Sequence, residues 1–128
     1  MPAYERNGFD PPAPVARVAF RDGTHATVCE DVPMLIDSGA DVSLVPRHVI
    51  ELLGTSIPGR KRYEIEGFDR TRSLVPVVEI EMTFLGRLFR GNFLVVDAEV
   101  GILGRNVLNA LSLLLDGPRL AWSEMPAR

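Results

Sequence analysis

Apolar and polar positions alternate along most of the chain with the two-residue period of half-buried strands. Val15, Arg17 and Ala19 alternate with Ala16, Val18 and Phe20, Arg21-Asp22-Gly23 supplies a turn, and Thr24 to Cys29 is rich in β-branched residues. Residues 15–29 are therefore predicted to form a β-hairpin. Val32-Pro33-Met34-Leu35-Ile36 is apolar throughout, as suits a strand buried on both faces, and it stops abruptly at Asp37-Ser38-Gly39-Ala40. Helical spacing takes over from Ser43 to Gly54. There Val49, Ile50, Leu52 and Leu53 make one apolar side, Pro46 fits the first turn and Gly54 stops the helix. Residues 55–73 read as loop and hairpin, with Pro58-Gly59 followed by a charged stretch. Val75–Phe84 and Leu88–Val96, joined at Leu85-Gly86-Arg87, predict a second hairpin. A short apolar run, Val100–Gly104, leads into helical spacing from Arg105 to Leu113. Leu113–Asp116 and Arg119–Trp122, about the turn Gly117-Pro118, close the chain as a last hairpin. The expectation is an all-β fold of about eight short strands with one or two short helices.

Composition narrows the class. A chain of 128 residues supports one modest core, and 46% hydrophobic against 24% charged residues describes a globular body. Residues 1–14 hold four of the ten prolines and are expected to be a flexible lead to a single domain spanning 15–128. A net charge of −3 argues against a general nucleic-acid or anionic-membrane binder. The basic cluster Arg60, Lys61, Arg62, Arg70 and Arg72, interleaved with Glu64, Glu66 and Asp69, reads as solvated surface. No apolar run approaches the roughly 20 residues of a membrane span, and Met1 to Glu5 has no apolar signal core. Cys29 stands alone and His25 and His48 are isolated, so no disulfide and no metal site is expected. These features suit the cytoplasm, for this chain or for a longer protein containing it. Arginine and alanine with few lysines suit a GC-rich bacterial gene.

Two segments carry candidate chemistry. Asp37 ends an apolar strand, where a carboxyl is costly to charge and becomes useful if its proton is to be shared or tuned. Ser38 is placed to fix the loop, while Gly39 and Ala40 leave the backbone open to a substrate or second chain. The plain alternative is a strand-ending turn made of three turn-forming residues. The second segment is Gly101-Ile102-Leu103-Gly104-Arg105-Asn106-Val107-Leu108. Its plain alternative is a buried strand entering a helix, with Gly104 needed for close packing.

Together, in this order and at this separation, the two segments resemble the retropepsin family of aspartic proteases. That family has an apolar-apolar-Asp-[Ser/Thr]-Gly-Ala loop followed by a hydrophobic-Gly-Arg-[Asn/Asp]-hydrophobic-Leu block. The resemblance runs from about Val15 to Trp122, and Leu115–Leu120 resembles the C-terminal hairpin of retrotransposon and bacterial members. It implies a closed β-barrel acid-protease fold, homodimeric, with Asp37 as the catalytic aspartate and Ser38, Gly39 and Ala40 completing its loop. It implies an ion pair between Asp41 and Arg105, a flap over Tyr63–Thr71 carrying Ile65, Glu66, Gly67 and Phe68, and peptide contacts from Val42 and Ile102. The flap departs from the glycine-rich viral pattern, with Gly67 its one glycine. No metal or organic cofactor is implied, because carboxylates activate the water.

The family's mechanism uses two aspartates, and this chain holds one Asp-Ser-Gly-Ala. The resemblance therefore implies a C2 homodimer acting on a peptide or protein substrate. The terminal strands are expected to form a shared sheet, with Leu111, Leu113, Leu114, Leu115 and Trp122 available to the interface. The alternative of another class is a catalytically silent dimerisation or peptide-binding module on the same fold.

Overall fold

Nine strands and two short helices are present among the residues described by the computed structural model, 1–23, 27–55, 62–66 and 72–126, with the backbone alone for 62–66, 72 and 73. In order they are β1 (Val15–Arg21), β2 (Val28–Ile36), β3 (Leu44–Pro46), α1 (Arg47–Leu53), β4 (Arg62–Glu66) and β5 (Arg72–Phe84). There follow β6 (Arg87–Val96), β7 (Gly101–Leu103), α2 (Arg105–Leu108), β8 (Leu113–Asp116) and β9 (Ala121–Glu124). Six strands run β1-β2-β7-β3-β6-β5, and β5 pairs back onto β1, so the sheet closes into a barrel. β4 adds to β5 as a hairpin arm, and β8 and β9 form a separate ribbon. Closure removes the open edges that a six-stranded sheet would otherwise expose.

Alternation along the strands fills the barrel. Val18, Phe20, Val32, Met34, Val45, Val78, Ile80, Met82, Phe93, Val95 and Leu103 all point into one buried cluster. Phe20 and Phe93 meet edge to face at 5.4 Å between ring centroids, a contact worth about 1 kcal/mol beyond its buried area. The β5–β6 turn matches its sequence: Leu85 and Gly86 both take positive φ (53° and 73°), as a two-residue hairpin turn requires.

Among the described residues, one buried charge lies in the barrel wall. Glu81 is 4% exposed and stands in cross-strand register with Arg21 on β1 and Arg90 on β6. Both guanidinium groups bond its carboxylate. The hydrogen bond from Arg21, then that from Arg90, holds its pKa below the ordinary carboxylate value.

Several sequence expectations are corrected here. β2 is one continuous strand from Val28, where two were expected. A bulge absorbs the irregularity: Val18 pairs Val32 while Phe20 pairs Cys29, and Asp31 takes φ 58°. The first helix starts at Arg47 and not at Ser43, because Pro46 disfavours helical backbone before it and Leu44–Pro46 is drawn into the barrel between β7 and β6. α2 is a single turn ending at Leu108, and β9 starts at Ala121.

Residues 1–14 are not a free lead. Ala3 bridges Ala121, Glu5 bridges Ala13, Pro14 O accepts from Ile36 N at 3.0 Å, and Glu5 pairs with Arg17. Trp122 is 3% exposed against Phe84 and belongs to the core, which takes it off the set of interface candidates. Among the described residues, no helix is long and apolar enough to cross a membrane.

Candidate active site

Parallel pairing of β2 with β7 brings the two motif segments together. Met34, Leu35 and Ile36 align with Gly101, Ile102 and Leu103, and the ladder continues one residue further as Asp37 N donates to Leu103 O at 3.1 Å. Asp37 thus sits where the strand ends and a loop begins, half-buried at the mouth of the barrel. Both glycines of the second segment are required by close approach. A Cβ on Gly101 would lie 2.4 Å from Leu44 O and from the Met34 sulfur, and one on Gly104 would lie 2.3 Å from Val42 O.

The loop from Asp37 to Ser43 is held from both sides. Within it, Gly39 N donates to Asp37 Oδ1 at 2.9 Å, and Ala40 N donates to Asp37 O at 3.2 Å. From α2, Arg105 N donates to Ala40 O at 2.8 Å and Arg105 Nη1 donates to Ser38 O at 2.7 Å. Asp41 is exposed, and no ion pair joins it to Arg105. The expected salt bridge is thus replaced by a charge-assisted bond to a loop carbonyl, which ties the same two segments together.

Ser43 and Asn106, not singled out from the sequence, complete the clamp. Ser43 is fully buried, and its hydroxyl donates to Asn106 Oδ1 at 2.8 Å while accepting from Gly104 N at 2.9 Å. The signal available was the asparagine directly after Gly104-Arg105, but a partner 63 positions away is found only once β2 and β7 are paired.

Other expected site residues fall as follows. Val42 and Ile102 are both half-buried, with Ile102 paired to Leu35 on one side and Leu44 on the other. Ile65 and Glu66 lie on β4 in register with Ser73 and Arg72. Gly67 and Phe68 lie outside the described residues. Ser38 and Ile36 border an apolar groove completed by Leu108, Leu111, Leu113 and Leu115. The carboxylate therefore stands at the edge of an apolar surface, on a loop held by hydrogen bonds within itself and from β6, β7 and α2. A single carboxyl so held can exchange a proton with water, and a second one beside it would let the pair share one.

No family model matches the sequence. Among solved structures, the chain is similar to the EIAV protease in complex with the inhibitor HBY-793, at 24% identity and a TM-score of 0.55. The match covers 77% of this chain and 86% of that one. The architecture is accordingly the retropepsin-like acid-protease fold. The neighbour is viral and lends no support to the bacterial source expected from composition.

Proposed function

We propose that this chain is an aspartic endopeptidase, active as a homodimer in which Asp37 of each copy faces the other. The reading rests most on one observation: Asp37 directly follows β2, on a loop clamped by Arg105, Gly104 and Ser43, in a chain whose fold is that of a retroviral protease. Two carboxyls about 3 Å apart cannot both ionise, so the pair holds one proton. The ionised member takes a proton from water as the water attacks the peptide carbonyl, and the protonated member donates to the carbonyl oxygen. The roles reverse as the amine leaves.

In this reading the β4–β5 hairpin, whose first strand carries Ile65 and Glu66, is the flap, and the sequence assigns Gly67 and Phe68 to it. A substrate lies extended beneath it by strand-like pairing, and Val42 and Ile102 face its side chains. Arg105 and Ser38 position the loop. The domain spans 15–128, with the N-terminal residues packed against it.

The test is cleavage of a diverse peptide library at pH 4, 5.5 and 7 by the wild type and by Asp37→Asn. Cleavage by the wild type alone is expected. Equal cleavage by both removes Asp37 from the mechanism. No cleavage by a folded, dimeric wild type replaces this reading with a peptide-binding module.

A further inference from the structure

We infer that the edge of β6 beside α2 is a docking site for an extended segment of a partner protein, one that alternates acidic and apolar residues. The inference goes beyond the reading of Asp37 given above and does not depend on it. β5 pairs with one edge of β6 from Arg87, opposite Phe84, to Leu94, opposite Val77. On the other edge β3 is three residues long and covers residues 94–96. Residues 88–91 have no strand neighbour on that side among the described residues.

The register fixes what this edge offers. Leu94 N donates to Ser43 O at 3.1 Å, so Leu94 turns its backbone groups away from β5. The pairing with β5 runs unbroken from Leu94 back to Arg87. By the two-residue period, Arg90 and Leu88 therefore turn their N–H and C=O groups the same way. Such an edge is a template for another chain. The side chains divide likewise, with Leu88 and Arg90 on the outer face and Phe89, Gly91 and Phe93 on the inner one. Nothing lies within 4 Å of a Cβ added to Gly91. There a cleft of about 290 Å³ opens between β6 and the residues Asn106 and Val107 of α2. Asn106 Oδ1 accepts from the Ser43 hydroxyl, while its amide nitrogen carries no bond among the described residues.

These features select the occupant. In a strand added here, every second side chain falls on the inner face, over the Gly91 gap and against Phe89 and Val107, and must be apolar. The side chains between them stand across from Leu88 and Arg90 on the outer face, and the charge they meet is positive. Arg90 is 67% exposed over Glu81 at 4%, and Arg87 is 48% exposed beside Glu124 at 32%. The carboxylates are covered while the guanidinium groups face solvent, so an acidic residue opposite Arg90 complements it. A second copy does not fit: paired about Arg90, the same edge would set that arginine against itself, and like charges directly opposite are destabilising. A small molecule would fill the cleft but leave the edge N–H and C=O groups of Leu88 and Arg90 unused. The occupant is therefore a strand of about five residues, each advancing roughly 3.4 Å along the edge.

Fluorescence anisotropy tests this with the probe fluorescein-Glu-Leu-Glu-Leu-Glu-amide, titrated with the full chain. Saturable binding is expected, at least tenfold weaker for the Lys-Leu-Lys-Leu-Lys counterpart and lost when every backbone nitrogen of the probe is methylated. Gly91→Leu fills the gap over β6, and Leu88→Pro removes one outward N–H without touching the bonds to β5. Each should weaken binding at least tenfold with an unchanged far-UV spectrum. Every titration is repeated in the Asp37→Asn background, where the probe should bind as tightly as before. No saturable binding, equal binding of the lysine or methylated probe, or binding that survives both β6 substitutions overturns the inference. Sedimentation velocity covers the remaining occupant: self-association of the wild type that Leu88→Pro abolishes would seat a second copy on this edge and overturn it as well. None of these readouts uses cleavage. A protein that binds the probe as expected but cuts no peptide refutes the protease reading and leaves the docking site standing.

Discussion

Gly104→Ala adds one carbon where the loop that carries Asp37 leaves no room. Gly104 has φ −90° and ψ −178°, extended backbone that alanine adopts freely, so any effect is steric. The new Cβ would lie 2.3 Å from Val42 O, 2.5 Å from Val42 C and 3.0 Å from Ala40 O. These are backbone atoms that no rotamer change can clear, and the loop must shift by about 1 Å to restore van der Waals contact. Overpacking costs about 1–3 kcal/mol, and a backbone clash belongs at the upper end. For a chain of this size that lowers Tm by about 10 °C. Because Val42 and Ala40 belong to the loop that carries Asp37, peptide cleavage should fall about a hundredfold, as displacements of this size do. Thermal unfolding followed by circular dichroism, with a peptide-cleavage assay at a temperature where the variant is folded, reads both effects. Gly91→Ala is the control, since nothing lies within 4 Å of its added carbon. A Gly104→Ala protein that melts with that control and cleaves normally would refute the packing argument.

Other perturbations separate the parts of the clamp. Ser43→Ala leaves Gly104 N–H and the Asn106 amide oxygen without their shared partner; a loss of about 1–3 kcal/mol is expected, read as a lower urea midpoint at constant m. Arg105→Lys removes the Nη1 bond to Ser38 O from an exposed side chain, so stability should change by about 1 kcal/mol or less while cleavage falls clearly; parallel loss of both would make Arg105 a fold residue only. Glu81 has a depressed folded pKa, so its contribution is complete above the unfolded carboxylate value and lost as pH falls through the lowered folded one. The Tm difference between wild type and Glu81→Gln should therefore be widest near neutrality and close below about pH 4; a constant difference from pH 7 to pH 3 would contradict the two-arginine clamp.

What could be read from the chain follows the range of each interaction. The hairpins at Arg21–Gly23, Leu85–Arg87 and Gly117–Pro118 come from local alternation and turn residues, and the structure keeps all three pairings. Leu44–Pro46 looked like the start of a helix because its strand partners, β6 and β7, lie some fifty residues ahead. Residues 1–14 looked like a linker because proline cannot donate a ladder bond, yet Pro2, Ala13 and Pro14 serve as acceptors. Asp37 was legible because an apolar run ends on a charge. Ser43 and Asn106 were not, since neither residue is unusual until the β2–β7 pairing buries one beside the other.

The central claim is that one working site needs Asp37 from two copies. Its most direct test holds wild-type protein fixed and titrates in Asp37→Asn after subunit exchange, following peptide cleavage. If each site uses both chains, an equal amount of variant leaves about half of the wild-type chains paired with one another, and the rate falls to about half. A threefold excess should leave about a quarter. A rate that does not respond to added variant would mean that each chain carries a complete site, and the account would be wrong.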